Sequence, residues 1–380
     1  MQIKDLIVHK ISAKIDVPFQ FSQGWVHQRS SVIVEVVGED GTCGFGECLC
    51  HGQQSPHLAA SFIEHCYKEE VIGKESLDVE VIWETLYNKS RPFGQQGIAL
   101  NALSGVDIAI WDLNGKQLNQ PISRLIGGRF RDKLKAYATG FYRVEGGKYP
   151  EDAVKEALAF KEAGFKGMKL KVGFTPEADI EYIRAVRAAV GMDIMLMADF
   201  NACYSQALAR RILLELAPEK IYFFEELLSP EDMEGYQALR NLTSAYMAAG
   251  EEIFGKFSMK QWLQAGALDI YQPDLCSAGG FTECKKMATL AQAHHTAIMP
   301  HAWGSGVGLA AALQYLSSLP PTPLCMTPDE PMLECDRSSH PFRTDLIFDG
   351  VKMADGFIYV PDKPGIGVEV NRDILEKYKV

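Results

Sequence analysis

The sequence GMKLKV at residues 167–172 is the first of six short apolar runs that each end on a polar residue able to take part in chemistry. The polar ends recur 23 to 28 residues apart, the length of a β-strand, its loops and a crossover helix. Buried parallel strands have near-continuous apolar sequences, so this pattern predicts a repeated βα unit. The other runs are IMLMAD (194–199), YFFEE (222–226), YMAAGEE (246–252), DIYQPD (269–274) and AIMPH (297–301).

The polar ends of these runs are predicted to meet at one mouth, because the parallel strands of a closed barrel place their carboxyl ends on the same face. A single acidic strand end would be explained as a cap of the following helix. Three acids on consecutive strands, flanked by two lysines and a histidine, favour a functional site instead. The residues are Lys169, Lys171, Asp199, Glu225, Glu251, Asp274 and His301.

The three consecutive strand ends before Asp274 carry the carboxylates Asp199, Glu225 and Glu251. At a separation of ~4 Å and an effective dielectric of 20, neighbouring carboxylates repel by roughly 4 kcal/mol per pair. Protonation would relieve part of this repulsion, whereas a divalent cation with oxygen ligands relieves it while all three stay ionised. We therefore predict a metal site formed by these three side chains.

Composition limits the class of protein. With 380 residues, 47% hydrophobic and 23% charged, the chain has room for a barrel and a second domain. The net charge of −11 argues against a nucleic-acid partner. Without a long apolar run or a signal-peptide pattern, we expect a cytoplasmic protein with no membrane partner. Nine cysteines without paired CxxC spacing fit a reducing compartment, and Cys48, Cys50 and His51 are only a weak signal for a soft metal site.

The N-terminal region, 1–125, has a different pattern. Alternating apolar residues at 6–12, 31–37 and 42–48 predict an antiparallel meander, and the apolar stripe of residues 99–118 predicts a long helix. Residues 21–30 (FSQGWVHQRS) are predicted to form a loop that carries Trp25, His27 and Arg29. Such a loop is either a recognition element or an exposed surface loop.

The chain therefore divides into three predicted parts. An N-terminal α+β capping domain covers residues 1–125, and a catalytic β/α barrel covers 126–339, beginning with the strand LKAYATGF (134–141). After His301 the barrel continues through a helix at 308–319, a Pro-rich passage at 320–331 and a strand with Glu334. Residues 340–380 contain a predicted β-hairpin and are expected to leave the barrel and pack on the capping domain.

The order and spacing of these residues resemble the mandelate racemase subgroup of the enolase superfamily over essentially the whole chain. Within the subgroup the sequence is most similar to cycloisomerases of sugar-acid lactones. Two positions depart from that pattern: Leu227 stands where relatives often have proline, and Glu252 adds an acid beside Glu251. The segments that carry the resemblance are KLK (169–171), ALSGVDIAIWD (102–112), DFN (199–201), QPDLCSAGGF (272–281), PHAWGSGV (300–307) and ECDRSSHPFR (334–343).

The resemblance implies a modified TIM barrel in which Asp199, Glu225 and Glu251 hold Mg²⁺. Lys169 would add positive charge near the substrate carboxylate. Lys171 is one candidate base, since Lys169 and a divalent cation beside it should lower its pKa. His301, oriented by Asp274, is the other candidate base. Glu334, if protonated, could donate a hydrogen bond to an enediolate oxygen. The substrate-binding candidates are Trp25, His27, Arg29, His51, Asn201 and Trp303.

The implied reaction removes the proton α to the carboxylate of a sugar acid or its lactone. β-Elimination then gives a 2-keto-3-deoxy acid. An acid-sugar dehydratase or a racemase or epimerase on the same scaffold is the alternative, and a non-catalytic binding or structural barrel is a remote one. We also expect a homo-oligomer that binds a small anionic substrate.

Overall fold

The computed structural model describes residues 1–321, 325–328 and 330–380, so that 322–324 and 329 of the Pro-rich passage lie outside the described residues. Antiparallel strands and helices come first, then a β/α repeat, then a short hairpin and a terminal helix. The strands are β1 (Ile3–Phe21), β2 (Gly24–Gly38), β3 (Cys43–Leu49), β4 (Lys133–Gly140), β5 (Arg143–Val144), β6 (Gly167–Lys171), β7 (Met195–Asp199), β8 (Phe223–Glu225), β9 (Tyr246–Ala249), β10 (Ile270–Tyr271), β11 (Ala297–Ile298), β12 (Met332–Asp336), β13 (Met353–Ala354) and β14 (Phe357–Tyr359).

Helices cover the N-terminal sheet and surround the barrel strands. One π-helical turn, Ile63–Tyr67, lies between the first two α-helices, and a 3₁₀ turn, Ala217–Glu219, precedes β8. The α-helices are α1 (Pro56–Phe62), α2 (Lys68–Val71), α3 (Val79–Ser90), α4 (Ile98–Gln117), α5 (Ile122–Leu125), α6 (Glu151–Glu162), α7 (Pro176–Val190), α8 (Gln206–Glu215), α9 (Met233–Arg240), α10 (Gly255–Ala265), α11 (Gly280–Ala293), α12 (Gly306–Ser317), α13 (Pro341–Thr344) and α14 (Arg372–Lys377).

The capping domain is built on the antiparallel sheet β3-β2-β1-β5. The meander expected from the alternating pattern is present, but the expected loop at residues 21–30 is not. Strand β1 ends at Phe21 and β2 begins at Gly24, so Trp25, His27 and Arg29 lie on a strand of a tight hairpin. The pairing of β1 with β2 shifts register between Lys14 and Phe19, which breaks the regular alternation of the two faces opposite His27.

Helix α4 fills the space between the capping sheet and the barrel. Most of its side chains are buried, because the stripe predicted at its centre packs on β2 and β3 while its other face meets α11. Gly44 and Gly46 of β3 allow this close approach, since an added Cβ would lie 2.1 Å from backbone oxygens of α4. The helix predicted at 99–118 is confirmed.

Among the described residues, the barrel consists of eight parallel strands: β4, then β6 to β12. Each strand from β6 to β11 pairs in parallel with its predecessor, and β12 pairs in parallel with β4. Apolar side chains such as Tyr137, Met197 and Phe223 fill the interior below the rim. The expected fold class, a β/α barrel with an α+β capping domain, is confirmed.

The C-terminal segment contacts both parts of the molecule. Its hairpin, β13 and β14, is present as expected, but β14 extends the barrel sheet by pairing with β4. The last residues return to the capping sheet, where Lys379 bridges to Ile11 and Arg372 of α14 pairs with Glu35 of β2. The boundaries at residues 125 and 339 stay predictions.

A buried carboxylate joins the capping domain to the barrel. Glu47 of β3 accepts hydrogen bonds from the Ser305 and Gly308 backbone nitrogens, at 3.0 and 2.9 Å, and from the hydroxyls of Ser31 and Ser305. Because these nitrogens belong to the first turn of α12, the capping domain fixes the loop that carries His301. In the described part of the chain, no helix combines the length and apolar composition needed to cross a membrane.

Candidate active site

The rim of the barrel brings the predicted polar strand ends together. The parallel register sets Lys171 beside Asp199 and Asp199 beside Glu225 on neighbouring strands. Glu251 follows β9, and Asp274 and His301 follow the next two strands. We call Lys169, Lys171, Asp199, Glu225, Glu251, Asp274, His301 and Glu334 the rim cluster, and all of its members are buried.

Lys169 is the central cation of the rim cluster. Its ammonium nitrogen lies 2.6 Å from Glu225, 2.9 Å from Glu334 and 3.3 Å from Asp199. Burial lowers the pKa of Lys169, but the three carboxylates outweigh burial and raise the pKa well above its ordinary value. Lys169 therefore stays protonated and charged, so it cannot accept a proton from a substrate.

Lys171 is held by a different pair of groups. Its ammonium donates to Asp199 at 2.5 Å and to the Asn201 side-chain oxygen at 3.2 Å. Burial and Lys169 lower the pKa of Lys171, whereas Asp199 raises it, and the net result is a pKa above the ordinary value. The predicted lowering requires a divalent cation as well as Lys169, so it stays a prediction, and the direct contact with Asp199 acts against it.

His301 is clamped between two carboxylates. Its Nδ1 lies 2.7 Å from Asp274, as expected, and its Nε2 lies 3.1 Å from Glu251. Burial lowers the pKa of His301, but Glu251 and Asp274 outweigh burial and raise it to about 10. The ring is an imidazolium in this arrangement, so both candidate bases carry their protons.

Glu334 closes the rim cluster between Lys169 and His301. It accepts hydrogen bonds from the Thr139 hydroxyl at 2.6 Å and the Ala302 backbone nitrogen at 3.0 Å. Burial raises the pKa of Glu334, but Lys169 and His301 outweigh burial and lower it. A protonated Glu334 that donates to an enediolate is therefore not supported by this arrangement.

The three predicted metal ligands fit a hard divalent cation by their chemistry. Burial, followed by repulsion from Asp199, raises the pKa of Glu225 to about 8. The cations around these carboxylates therefore do not supply enough positive charge to keep the pKa of Glu225 at its ordinary value. Glu251 Oε2 is buried without a hydrogen-bond partner, although His301 lies within ion-pair distance. In the described residues no three such side chains already surround a metal position. The oxygens instead face Lys169, Lys171 and His301, with which a metal would compete.

Aromatic residues of the capping domain and of the barrel form one side of the mouth. Phe19, Phe21, Tyr142 and Trp303, which we call the aromatic wall, lie next to the rim cluster. Lys171 Nζ is 6.0 Å from the Phe21 ring, and an added Cβ on Gly52 would lie 3.4 Å from the Trp303 ring and 3.6 Å from Phe21. The aromatic wall narrows the mouth next to Lys171.

Arg29, a predicted substrate ligand, is used inside the protein. Only 2% exposed, it donates to Asp336 at 3.1 Å and to the Ser339 carbonyl at 3.3 Å, and it also bonds Ser338. Its guanidinium carbon stacks 3.7 Å from the centre of the Trp303 ring. These contacts use Nε and Nη2, whereas the buried Nη1 has no hydrogen-bond partner among the described residues, so substrate binding by Arg29 stays a prediction.

The other predicted substrate ligands lie at different depths. Asn201 is within the site, because it bonds Lys171 and its own backbone nitrogen donates to Asp199 at 3.0 Å. The His51 ring stacks on His301 with 6.2 Å between centroids, and burial lowers its pKa. Trp25 is half-buried and His27 is exposed, and they stack on each other. Substrate binding by any of them stays a prediction.

Several residues of the site were missed in the sequence. Gln272 Nε2 donates to Glu225 at 2.8 Å, and Thr139 holds Glu334. Tyr142 accepts a hydrogen bond from Trp303 Nε1 at 2.8 Å, and Glu226 Oε2 is buried without a partner. Gln272 and Thr139 stand at strand ends, a signal that could have found them. Tyr142 lies beyond its strand, and only the tertiary structure identifies it.

The two departures from the expected sequence pattern are accommodated. Leu227 is fully buried, and its carbonyl accepts from the Tyr204 nitrogen at 3.2 Å. Burial, followed by Glu251, raises the pKa of Glu252 to about 7. The soft-metal alternative has no support here, since Cys48 and Cys50 are buried thiols whose pKa values burial raises.

A capped β/α barrel with lysines, carboxylates and a clamped histidine at its rim is the architecture of a barrel enzyme. Residues 152–374 match the family described as enolase C-terminal domain-like. Residues 3–127 match the family described as mandelate racemase / muconate lactonizing enzyme, N-terminal domain. The chain belongs to the enolase superfamily and is an enzyme of its mandelate racemase subgroup, as the sequence resemblance predicted.

Relatives with assigned reactions cover nearly the whole chain. The chain is 40% identical over 380 residues to D-galactarolactone cycloisomerase from Agrobacterium fabrum, covering 100% of this chain and 99% of that protein. It is 32% identical over 351 residues to D-galactonate dehydratase from Variovorax paradoxus, covering 90% and 89%. The crystal structure of 3,6-anhydro-D-galactonate cycloisomerase from Zobellia galactanivorans superposes with a TM-score of 0.89 at 36% identity, covering both chains fully.

A more distant solved structure contains a metal ion. A racemase from Streptomyces coelicolor, 24% identical with a TM-score of 0.89 and full coverage of both chains, was solved with bound magnesium. This similarity concerns the fold. For the present chain, magnesium binding, a cytoplasmic location and a homo-oligomer stay predictions.

Proposed function

We propose that this enzyme removes the proton α to the carboxylate of a sugar-acid lactone and opens the ring by β-elimination, as a cycloisomerase. The observation that supports this most is the rim cluster itself, in which Lys171 and His301 are each held by their own carboxylates at one mouth. The 40% identity to D-galactarolactone cycloisomerase supports the substrate class.

The proposed metal is Mg²⁺, held by Asp199, Glu225 and Glu251. When bound, it would supply positive charge for the second negative charge that an enediolate carries. Lys169, fully buried and permanently charged, adds a fixed cation beside the same position. Gln272 holds Glu225, and Thr139 holds Glu334, so these oxygens are oriented before the substrate arrives.

Lys171 and His301 are proposed as the acid/base pair. Both carry protons in this arrangement, so the group that abstracts must first lose its proton while the other remains an acid. Asp274 keeps Nδ1 of the His301 ring engaged at 2.7 Å, which directs Nε2 into the mouth. Two such groups allow a proton to be taken by one residue and returned by the other.

The bond changes balance without water. The Cα–H pair of electrons forms the enediolate, then the Cα–Cβ double bond, as the Cβ–O bond of the lactone breaks and its oxygen leaves as a carboxylate. The resulting enol takes up a proton at Cβ and becomes the 2-keto-3-deoxy acid. The substrate and the product are therefore isomers.

Incubation of D-galactarolactone with enzyme and Mg²⁺ in oxygen-18 water, followed by mass spectrometry at early times, tests the proposal. A keto acid of unchanged mass is expected. A product heavier by one water and lacking a ketone would show hydrolysis and overturn the proposal. Exchange of the α-hydrogen with deuterium in a parallel sample would show that the carbon acid is activated.

The second candidate is an acid-sugar dehydratase on the same site. The 32% identity to D-galactonate dehydratase favours it, because the same first step followed by loss of a β-hydroxyl gives dehydration. An open-chain sugar acid would then yield a product lighter by one water. The same assay distinguishes this outcome from cycloisomerisation.

A further inference from the structure

The aromatic wall contains a hydroxyl group with one unused hydrogen-bonding function. The Tyr142 oxygen accepts from Trp303 Nε1 at 2.8 Å. Within the described residues, no acceptor lies within hydrogen-bonding distance of the Tyr142 hydroxyl proton. Tyr142 keeps 9% of its surface exposed.

Tyr142 lies at the rim end of the barrel. The residue follows β4, which pairs with β6, the strand that carries Lys171, and with β12, the strand that carries Glu334. Its ring packs 4.4 Å from Phe19 of the capping sheet, which limits ring rotation. The phenol therefore stands between the capping domain and the rim cluster.

Two further residues hold the phenol in place. Trp303 bonds its oxygen through Nε1, and Arg29 stacks 3.7 Å from the centre of the Trp303 ring. Arg29 is itself fixed by Asp336, which also accepts from Arg343 at 2.9 Å. This chain of contacts runs from the end of β12 through the guanidinium and the indole to the phenol.

We propose that the Tyr142 hydroxyl donates a hydrogen bond to a hydroxyl oxygen of the bound sugar acid, and that Arg29, acting through Trp303, positions it. The inference rests on the proposed function for its substrate class. Lys169 and Lys171 already contact carboxylate oxygens of the rim cluster, whereas a neutral phenol matches a neutral hydroxyl group. A site that offers such a donor discriminates against analogues that lack its acceptor.

Kinetics with single-deoxy substrate analogues test the contact. For Tyr142→Phe we expect KM on the full substrate to rise about 2- to 12-fold, the range for one neutral hydrogen bond, with kcat changed by less than about twofold. The analogue that lacks the hydroxyl group bound by Tyr142 should show the same KM with wild type and with Tyr142→Phe, because it cannot form this hydrogen bond with either enzyme. An unchanged KM of Tyr142→Phe on the full substrate would overturn the proposed contact. Equal increases in KM for every deoxy analogue with both enzymes would overturn it as well.

Fluorine NMR of protein labelled with 5-fluorotryptophan tests the positioning role without relying on turnover. The chain has five tryptophans, and the Trp303 signal is assigned by its loss in Trp303→Phe. Arg29→Lys keeps a charge near Asp336 but loses planar stacking, so we expect the Trp303 signal to move. The control Arg211→Lys changes an exposed arginine of α8 and should leave all five signals in place.

The double variant, Arg29→Lys in the Tyr142→Phe background, tests whether the two residues act together. If Arg29 acts through Tyr142, Arg29→Lys should raise KM in wild type and add little in the Tyr142→Phe background. Additive losses, or a Trp303 signal that does not move, would overturn the positioning role. A wild-type enzyme inactive on every sugar acid would overturn the proposed function and this substrate class together, whereas an active wild type with an unaffected Tyr142→Phe overturns this inference alone.

Discussion

The rim cluster and the aromatic wall border the same mouth but are built in opposite ways. At the rim, charged groups contact one another, with Lys169 within 3.3 Å of three carboxylates. In the wall, the nearby cation Arg29 contacts an indole ring and Asp336. The rim therefore concentrates charge for a reaction, whereas the wall fixes shape and offers neutral contacts.

This difference separates two kinds of function. A rim residue acts through its own charge, so its replacement should remove catalysis. A wall residue acts through the position of its neighbours, so its replacement should change which substrate is preferred.

The largest effect is expected from Glu225→Gln at the rim. The amide cannot balance Lys169 or serve as an anionic metal ligand, so we expect magnesium-dependent turnover to fall by about 10³-fold or more while the protein stays folded. Turnover and circular dichroism of the same preparation measure this. Glu234→Gln, an exposed acid of α9, is the matched control. Full activity in a metal-free preparation would contradict the metal assignment.

A smaller loss is expected from Asp274→Asn. The change leaves the shape of the His301 clamp but disturbs the tautomer and orientation of the ring, so kcat should fall by about 10²- to 10⁴-fold. Asp269→Asn is the control at the opposite end of the same strand, where Asp269 bonds Arg240 at 2.8 Å. That variant should lower stability and spare kcat. Equal kcat losses in both variants would contradict a special role for the rim.

The rim was predictable from sequence for a physical reason. In a parallel barrel, the residue that ends a strand must lie at the mouth, so Asp199, Glu225 and His301 have their place fixed by local sequence alone. Their pairing was not predictable in the same way. Whether Lys171 loses or keeps its proton depends on a contact of 2.5 Å with Asp199, which no spacing reveals.

The wall was predicted poorly because its members come from distant parts of the chain. Arg29 was expected in a loop, but the 21–30 segment is a hairpin in which Arg29 pairs with Ala13 and its side chain is buried. Its partners Trp303 and Asp336 lie about 300 residues later in the sequence. Tyr142 could not be predicted from the sequence, because its significance arises only from Trp303 and the rim beside it.

A third prediction tests whether the far side of the capping domain serves stability alone. Glu35 of β2 accepts from Arg372 of α14 at 3.0 Å and contacts His9 at 2.9 Å. Burial raises the pKa of Glu35, but His9 and Arg372 outweigh burial and lower it to about 2. A depressed pKa stabilises the fold above the unfolded value, near 4.5, and this contribution is lost as the pH falls towards 2.

For Glu35→Gln we therefore expect about 2–3 kcal/mol less unfolding free energy at pH 7, with the difference from wild type shrinking between about pH 5 and pH 2. Denaturant unfolding at several pH values measures it, with Glu39→Gln, exposed in the turn after β2, as the control. Kinetic constants of the folded variant should match wild type. A pH-independent difference would contradict the ion-pair explanation.

The smallest effect is expected from His27→Ala, which probes how far the wall extends along the hairpin. Val26 is buried, pairs with Phe19 across the sheet and approaches Gly52, so it belongs to the side that supports Trp303. His27 is exposed and contacts Trp25 at a ring separation of 6.2 Å.

Because no described contact joins His27 to the rim cluster or the aromatic wall, its removal should change the ratio of kcat/KM between two sugar acids by less than about threefold. Tyr142→Phe, measured on the same two substrates, provides the comparison and should change that ratio more. Substrate preference altered more by His27→Ala than by Tyr142→Phe would place recognition at the hairpin tip, as the sequence suggested. It would also mean that the aromatic wall and the exposed end of the hairpin do not differ in their effect on substrate preference as we predict.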